Sequence, residues 1–173
     1  CVKGSDELQM TYKDKIFRYS CQGFFQNNHE MAIKMHNYVT GLLKKEDTEN
    51  DFLLDLYGGV GAFGIMNAKL FKEVLTVESV IECTESAKNN IKLNTLTNVI
   101  AKTKDAKQVG KLPIKTPLTV ITDPPRTGMH KNTVKWLNES GAKRIIYISC
   151  NPVQMGKELK HMSNYIIREA ALC

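Results

Sequence analysis

The chain has no CxxC pair, no proline-rich linker, no internal repeat and no apolar run near the roughly 20 residues that a membrane-spanning helix needs. Its five cysteines stand at positions 1, 21, 83, 150 and 173, an odd count with wide gaps. A disulfide framework and a zinc site are therefore disfavoured, and no metal is expected. A reducing compartment, the cytoplasm, is the simplest setting for such thiols. The opening Cys1-Val2-Lys3-Gly4-Ser5-Asp6 is polar rather than leader-like, and no Met begins it. The expectation is a fragment of a longer protein. Nothing sets an oligomeric state.

What is present is an ordinary globular balance, 42% apolar and 24% charged residues in 173 positions. That length suits one domain with a full core. Lys plus Arg is 24 against 18 for Asp plus Glu, a net charge of +6. Such a surplus fits a polyanionic partner, usually nucleic acid, although many soluble domains share it.

A charged stretch, Lys44 to Asp51, separates two differently patterned parts. The expected division is residues 1–50, a hairpin over Leu8–Ser20 and a lead-in helix over about 29–45, packed on a core of residues 51–173. Met31, Met35, Val39 and Leu42 mark the apolar face of that helix. After the charged stretch the pattern alternates. Strands are predicted at 52–57, 74–77, 98–102, 118–122, 144–148 and 165–172. Helices are predicted at 62–70, 83–94, 131–139 and 154–162. This rhythm means an α/β fold, a mostly parallel sheet with helices on both faces. Ligands in such folds bind outside the carboxyl ends of the strands, so residues just past each strand matter most.

The first core strand ends Asp55-Leu56-Tyr57-Gly58-Gly59-Val60-Gly61-Ala62-Phe63-Gly64. Glycines there let the backbone turn tightly and approach a ligand, or simply supply a turn with positive φ. No Walker-type lysine follows. The second strand ends in Glu78, 23 positions after Asp55. A carboxylate so placed can accept both hydroxyls of a ribose; alternatively it is a surface charge. Asp105, after the third strand, is either an adenine contact or the cap of a short helix. Two further strand ends carry Asp123-Pro124-Pro125-Arg126-Thr127-Gly128 and Ser149-Cys150-Asn151-Pro152. Cys150, between a strand and a helix, can gain thiolate character from a helix N-terminus and nearby cations, or can be a buried structural thiol.

Asp55-Leu56-Tyr57-x-Gly59-x-Gly61 resembles motif I of the Rossmann-like S-adenosylmethionine-dependent methyltransferases, although the spacing to Gly64 also matches dehydrogenases. With Asp-Pro-Pro-Arg-x-Gly, Ser-Cys-Asn-Pro and Phe24-Phe25-Gln26-Asn27-Asn28, the chain resembles the RNA uracil-C5 methyltransferases, which make 5-methyluridine in tRNA and rRNA. The resemblance covers about residues 16–173. It implies S-adenosyl-L-methionine as cofactor and RNA as partner. It implies Cys150 as the nucleophile adding to uracil C6. It places Gln26, Tyr57, Gly59, Gly61, Glu78, Asp105 and Asp123 at the cofactor, and Arg126 and Asn151 at the RNA or in the turn beside Cys150. From the residues alone, Gln26 is a turn residue, Tyr57 a core residue, Asp123 a capping carboxylate and Arg126 a solvated cation.

Three positions depart from the family: Gly58, where Cys is frequent; Gln154, where Thr is frequent; and Ala62, where some members have Asn. The family's general-base Glu lies in a Phe-Pro-x-Thr-x-His-x-Glu-like segment that nothing here matches. Glu158 and Glu169 read as surface charges. The expectation is a chain that binds cofactor but does not turn over. Two rivals stand: a methyltransferase acting on cytosine C5 or an exocyclic amine, and a non-catalytic RNA- or cofactor-binding module.

Overall fold

The computed structural model describes residues 7–20 and 29–172. Its elements are β1 (Glu7–Tyr12), β2 (Lys15–Ser20), α1 (His29–Lys44), β3 (Phe52–Leu56), α2 (Ala62–Asn67), β4 (Glu73–Glu78), α3 (Ile81–Leu93), β5 (Val99–Thr103), β6 (Leu118–Thr122), α4 (Lys131–Glu139), β7 (Arg144–Tyr147) and α5 (Pro152–Leu159). Short 3-10 turns cover Ala68–Leu70 and Ala106–Lys111.

All five residues of β3, and all five of β6, are buried. Strands apolar on both faces need a layer on each side, and parallel strands joined by helices supply them. The sheet runs β5-β4-β3-β6-β7, parallel throughout. On one face, Leu53, Val74 and Ile121 pack with Phe63 and Ile65 of α2, Ala87 and Ile91 of α3, and Val39 and Leu43 of α1. On the other, Leu54, Leu56, Leu75 and Val120 pack with Val109, with Val134 and Leu137 of α4, and with Leu159 of α5. The chain leaves β3 toward β4 in one direction and reaches β6 in the other. The loops after β3 and β6 therefore diverge at the switch point, where α/β sheets bind ligands.

The hairpin β1–β2 is antiparallel, as the alternation of Leu8–Ser20 predicts. It docks through α3 rather than joining the sheet. Asn94 Oδ1 accepts the Ile16 N–H (3.0 Å) and its amide donates to the Ile16 carbonyl (2.7 Å). Asn90 Oδ1 accepts the Arg18 N–H (2.7 Å), while its amide donates to the Val60 carbonyl (3.1 Å). Two helix amides thus pair β2 backbone groups that a neighbouring strand would otherwise satisfy.

Two expectations need correction. The buried face of α1 is Ala32, His36, Val39 and Leu43; Met31, Met35 and Leu42 are only half-buried. The face is turned by about one residue because His36 belongs to the core, its ring 4.2 Å from that of Phe63. Burial pushes His36 down to about 4, so a neutral imidazole packs there. Residues 165–172 form no strand. Ile166, Ile167 and Leu172 are 80%, 69% and 93% exposed, without the alternate burial that pairing with a sheet imposes. Among the described residues β7 is one edge of the sheet and β5 the other.

Asn90 is fully buried and serves two backbone groups in different elements. Asn90→Ala should lower unfolding free energy by about 2 kcal/mol or more, since two backbone groups lose their partner. Asn89→Ala, one position away and exposed, should change it by less than about 0.5 kcal/mol. Denaturant unfolding of the two variants side by side checks this; equal effects would remove the docking role.

Candidate active site

The turn after β3 begins at Tyr57, whose φ of 58° is left-handed, and continues through Gly59 (φ 53°) and Gly61 (φ 85°). Gly61 is the residue preceding α2. Glycine removes the strain of such angles at the last two. A Cβ on Gly59 would meet nothing within 4 Å, so this backbone faces open space. Gly58 and Gly64 are glycine for another reason. A Cβ on Gly58 would run into the Thr76 methyl and lie 2.9 Å from Asp55 Oδ2; one on Gly64 would lie 2.5 Å from Thr76 Oγ1.

Asp55, wholly buried in β3, organises this turn. Its Oδ2 accepts the Gly64 N–H (3.0 Å) and the Thr76 hydroxyl (3.3 Å). Burial raises its carboxyl to about 7, against the lowering effect of those two bonds. Across the turn, Glu78 ends β4. Its Oε2 accepts the Gly59 N–H (3.1 Å) and its Oε1 takes Ser79 N–H (2.6 Å) and Val80 N–H (2.9 Å). Glycine turn and acid, 19 residues apart, are therefore in contact. Glu78 is not a stray surface charge. Val80 and Ile81, 47% and 62% exposed, flank it with apolar surface that the alternation of the sequence did not single out.

Asp105 follows β5 and caps the 3-10 turn, accepting Lys107 N–H (2.9 Å). The Lys107 ammonium beside it (2.9 Å) holds its carboxyl below the usual range. The capping reading is thus observed, at the same end of the sheet as Glu78. The Tyr57 ring packs with the α4 side of the core, and burial raises its phenol. Gln26 and the segment around it lie outside the described residues.

The loops after β6 and β7 stand side by side. Cys150 is exposed, two residues past Ile148, whose N–H continues the ladder to the Thr122 carbonyl (2.9 Å). The reading of Cys150 as a buried structural thiol is excluded. Asn151 caps α5 by accepting Gln154 N–H (3.2 Å) and donates its amide to the Arg126 carbonyl (3.0 Å). Pro152 opens the helix, where its missing N–H costs nothing. Arg126 itself is exposed and touches the cysteine loop through its backbone. Asp123 is mostly buried, and burial raises its carboxyl to about 6. No cap is seen from it among the described residues.

Glu158 corrects a further expectation. It is 5% exposed, not a surface charge. Its Oε1 accepts Met129 N–H (2.9 Å) and the Gln154 amide (2.7 Å), and its Oε2 accepts the Tyr147 hydroxyl (2.7 Å). One carboxylate on α5 thereby fastens the Asp123–Met129 loop, β7 and its own helix. Gly128 (φ 84°) is glycine because a Cβ would collide with Glu158 Oε1. The sequence signal was the position, one helical turn after Gln154 on the inner face of α5. Glu169 lies in no strand; it accepts the Tyr38 hydroxyl (2.6 Å) of α1.

The raised Asp55 carboxyl has a definite pH signature. The folded state holds this proton more tightly than the unfolded chain, whose Asp titrates near 3.8. Its contribution to stability is therefore greatest at low pH and falls as pH rises from 3.8 to about 7. In Asp55→Asn one amide oxygen can take both bonds and nothing titrates. The stability of that variant relative to the parent should rise across this window and level off above it. Denaturant midpoints taken through the window check this; a constant difference would mean that Asp55 titrates normally.

The chain is similar to known proteins. The family model tRNA (uracil-5-)-methyltransferase matches residues 4–173. The tRNA (uracil(54)-C(5))-methyltransferase of Pyrococcus furiosus is 34% identical over 146 residues, 84% of this chain and 33% of that protein. An uncharacterised RNA methyltransferase of Clostridium acetobutylicum is 33% identical over 162 residues, 94% of this chain and 35% of the other. The crystal structure of the Pyrococcus abyssi tRNA (uracil-54, C5)-methyltransferase in complex with S-adenosyl-L-homocysteine has a TM-score of 0.78 at 30% identity, over 92% of this chain and 38% of that one. A methyltransferase dependent on S-adenosylmethionine from Agrobacterium tumefaciens (TM-score 0.67, 14% identity, 93% of this chain and 59% of that one) shares the fold alone. The chain spans about a third of the length of the curated relatives it matches. The sheet is the Rossmann-like one of these methyltransferases. Since the family model covers nearly every residue, both strand-end motifs included, the chain belongs to the tRNA (uracil-5-)-methyltransferase family.

Proposed function

We propose that this chain forms the methyl-transfer site of an RNA uracil-C5 methyltransferase, with S-adenosyl-L-methionine as donor and a uridine of tRNA or rRNA as acceptor. The observation that carries the reading is the exposed Cys150 thiol at the carboxyl end of β7, in a loop bonded through Asn151 to the Asp123–Gly128 loop. The relatives named for a substrate, two archaeal enzymes acting at uracil 54 of tRNA, favour tRNA. Residues 51–173 are the core in this reading, and residues 1–50 a lead-in packed on it.

The residues fit the donor. Gly59 presents backbone to open space, and Glu78 Oε2 accepts one N–H where a carboxylate oxygen has room for more, so a ribose hydroxyl can be taken there. Val80 and Ile81 offer apolar surface for a flat base, with Asp105 beyond them. Tyr57, Gly61 and Asp123 surround the same turn. Gln26 holds its role by motif alone. The donor supplies a methyl group made electrophilic by a sulfonium.

For the acceptor, Cys150 Sγ as thiolate bonds to uracil C6, and the displaced electron pair rests on the C4 carbonyl oxygen as an enolate. C5, now nucleophilic, takes the methyl group as that group's bond to the donor sulfur breaks, leaving a neutral thioether, and the C4 carbonyl re-forms. A base then removes the C5 proton, which regenerates the enolate, and its collapse breaks the C6–S bond and returns the thiolate. Asn151 holds the cysteine loop, and Arg126 faces the RNA. The base is a carboxylate other than Glu158, whose oxygens are engaged inside the core, and Glu169, which meets Tyr38 and Lys45 instead. The uridine must leave its stack for Sγ to reach C6.

Two measurements test this. RNA carrying 5-fluorouridine at the target should trap a covalent adduct, because fluorine does not leave as a proton does. Mass spectrometry should place it on Cys150, and Cys150→Ala should abolish it. An adduct on Cys83 would refute the assignment. Separately, Glu78→Ala should weaken S-adenosylhomocysteine binding roughly 5- to 150-fold, the equivalent of about 1–3 kcal/mol. Unchanged affinity in calorimetry would remove Glu78 from the site.

A further inference from the structure

A groove of about 460 Å³ runs between α4 and α5 on the outer surface of the core. Lys131 and Lys135, four residues apart on α4, line one wall; Lys157 and His161, four apart in and just past α5, line the other. Gln154 and Met129 also line it. Gln154 is the residue whose N–H Asn151 caps, and Met129 directly follows the Arg126-Thr127-Gly128 turn. The groove therefore opens beside the two loops that hold Cys150 and Arg126.

Its charge is one-sided. Lys69, Lys107, Lys115 and Lys143 are each paired with a carboxylate within 3.2 Å. Lys131, Lys135 and Lys157 have no ion-pair partner among the described residues. The one carboxylate lining the groove, Glu158, is buried and commits both oxygens to Met129, Gln154 and Tyr147. Three exposed ammonium groups on two rigid helices face a shared channel with no compensating anion at its surface. Such an arrangement repels most surfaces and attracts a chain of phosphates.

We infer that the α4–α5 groove binds the phosphate backbone of the RNA strand flanking the target uridine. This rests on the reading of the chain as an RNA methyltransferase. An acidic protein segment would also be attracted, but the groove continues from the reaction site, and the polyanion that must enter that site is RNA. The lysines position the strand alongside the helix that follows the Cys150 loop. Phosphate contacts of this kind add affinity without reading sequence.

The test is a triple substitution, Lys131→Ala, Lys135→Ala and Lys157→Ala, in the protein, against a control set that does not line the groove, Lys34→Ala, Lys72→Ala and Lys92→Ala. All six lysines are exposed, and both sets remove three charges. Binding of tRNA is read by fluorescence anisotropy over a salt series, and binding of S-adenosylhomocysteine by calorimetry. The groove variant should bind RNA at least tenfold more weakly. Its slope of log affinity on log salt should be shallower by about 2, because each single-strand phosphate neutralised by a lysine adds roughly 0.7 to that slope. Its S-adenosylhomocysteine affinity should be unchanged, which also shows that it is folded. The control set should lose markedly less RNA affinity. Equal losses in the two sets would mean that net charge alone matters, and no loss in the groove variant would mean that RNA passes elsewhere; either overturns the inference. A parent protein that binds S-adenosylhomocysteine but no RNA would instead overturn the functional reading itself, and the groove assignment with it.

Discussion

One buried oxygen, Oδ2 of Asp55, sets the shape of the cofactor end of the sheet. It holds the first turn of α2 through Gly64 and the neighbouring strand through Thr76. A carboxylate in that place is costly to ionise, and burial shows in its raised affinity for a proton. The two hydrogen bonds offset part of that cost and tie strand, turn and helix into one unit. The glycines follow from it. Thr76 and Asp55 fill the space that side chains at 58 and 64 would need. The departure at Gly58, where related chains frequently carry Cys, is thereby explained in this chain: the Thr76 methyl occupies the position of the missing Cβ. With α2 fixed in this way, Gly59 comes to rest against Glu78, and the acid at the end of β4 meets the glycine turn.

The opposite side of the switch point is organised by the same means with a different carboxylate. Glu158 joins the loop after β6, the strand β7 and the helix α5, and Asn151 adds a second tie between the two loops. Burial and the Glu158 carboxylate both push the Tyr147 phenol upward, so it stays a hydrogen-bond donor at any ordinary pH. The exposed thiol therefore sits on a scaffold whose parts cannot shift independently. Preorganisation of this kind would serve the proposed attack of the thiol on C6, which needs a narrow direction of approach. Neither tie places a group in contact with the thiol. They fix where it is, and the chemistry belongs to the loop itself.

The strands of the core were legible because they are short apolar runs bounded by glycine, proline or charge. Phe52–Leu56 and Leu118–Thr122 can only be buried on both faces. The strand-end motifs were legible for the same reason, since the rhythm of the core says which residues stand at the ligand end. The misses have physical causes. His36 is apolar only because its ring is neutral and enclosed by aromatic neighbours, which no hydropathy pattern states. Glu158 reads as a surface charge on an amphipathic helix because its partners, a backbone N–H and a tyrosine hydroxyl, come from other elements. The segment 165–172 has strand-like composition, but strand formation needs an edge to pair with, and composition carries no information about pairing.

The acids of the site sort by what burial has done to each. Asp55 and Glu158 are enclosed and bonded to donors from neighbouring elements, Asp55 through Oδ2 alone and Glu158 through both oxygens, which suits structural duty. Asp105 is exposed and held ionised by Lys107. Glu78 is intermediate, bonded to backbone N–H groups along one rim and open on the other. Asp123 differs from all of them. It is mostly buried, its carboxyl is raised to about 6 by burial alone, and among the described residues no side-chain donor answers it. A carboxylate kept from water without a donor is destabilised in its charged form, and that cost is recovered when a cation or an N–H donor is brought beside it. An amino group on a bound ligand does this, and so does the imide N–H of a uracil. Asp123 stands at the end of β6, next to β3 across the switch point, so in the proposed reaction the donor it lacks would come from a bound substrate.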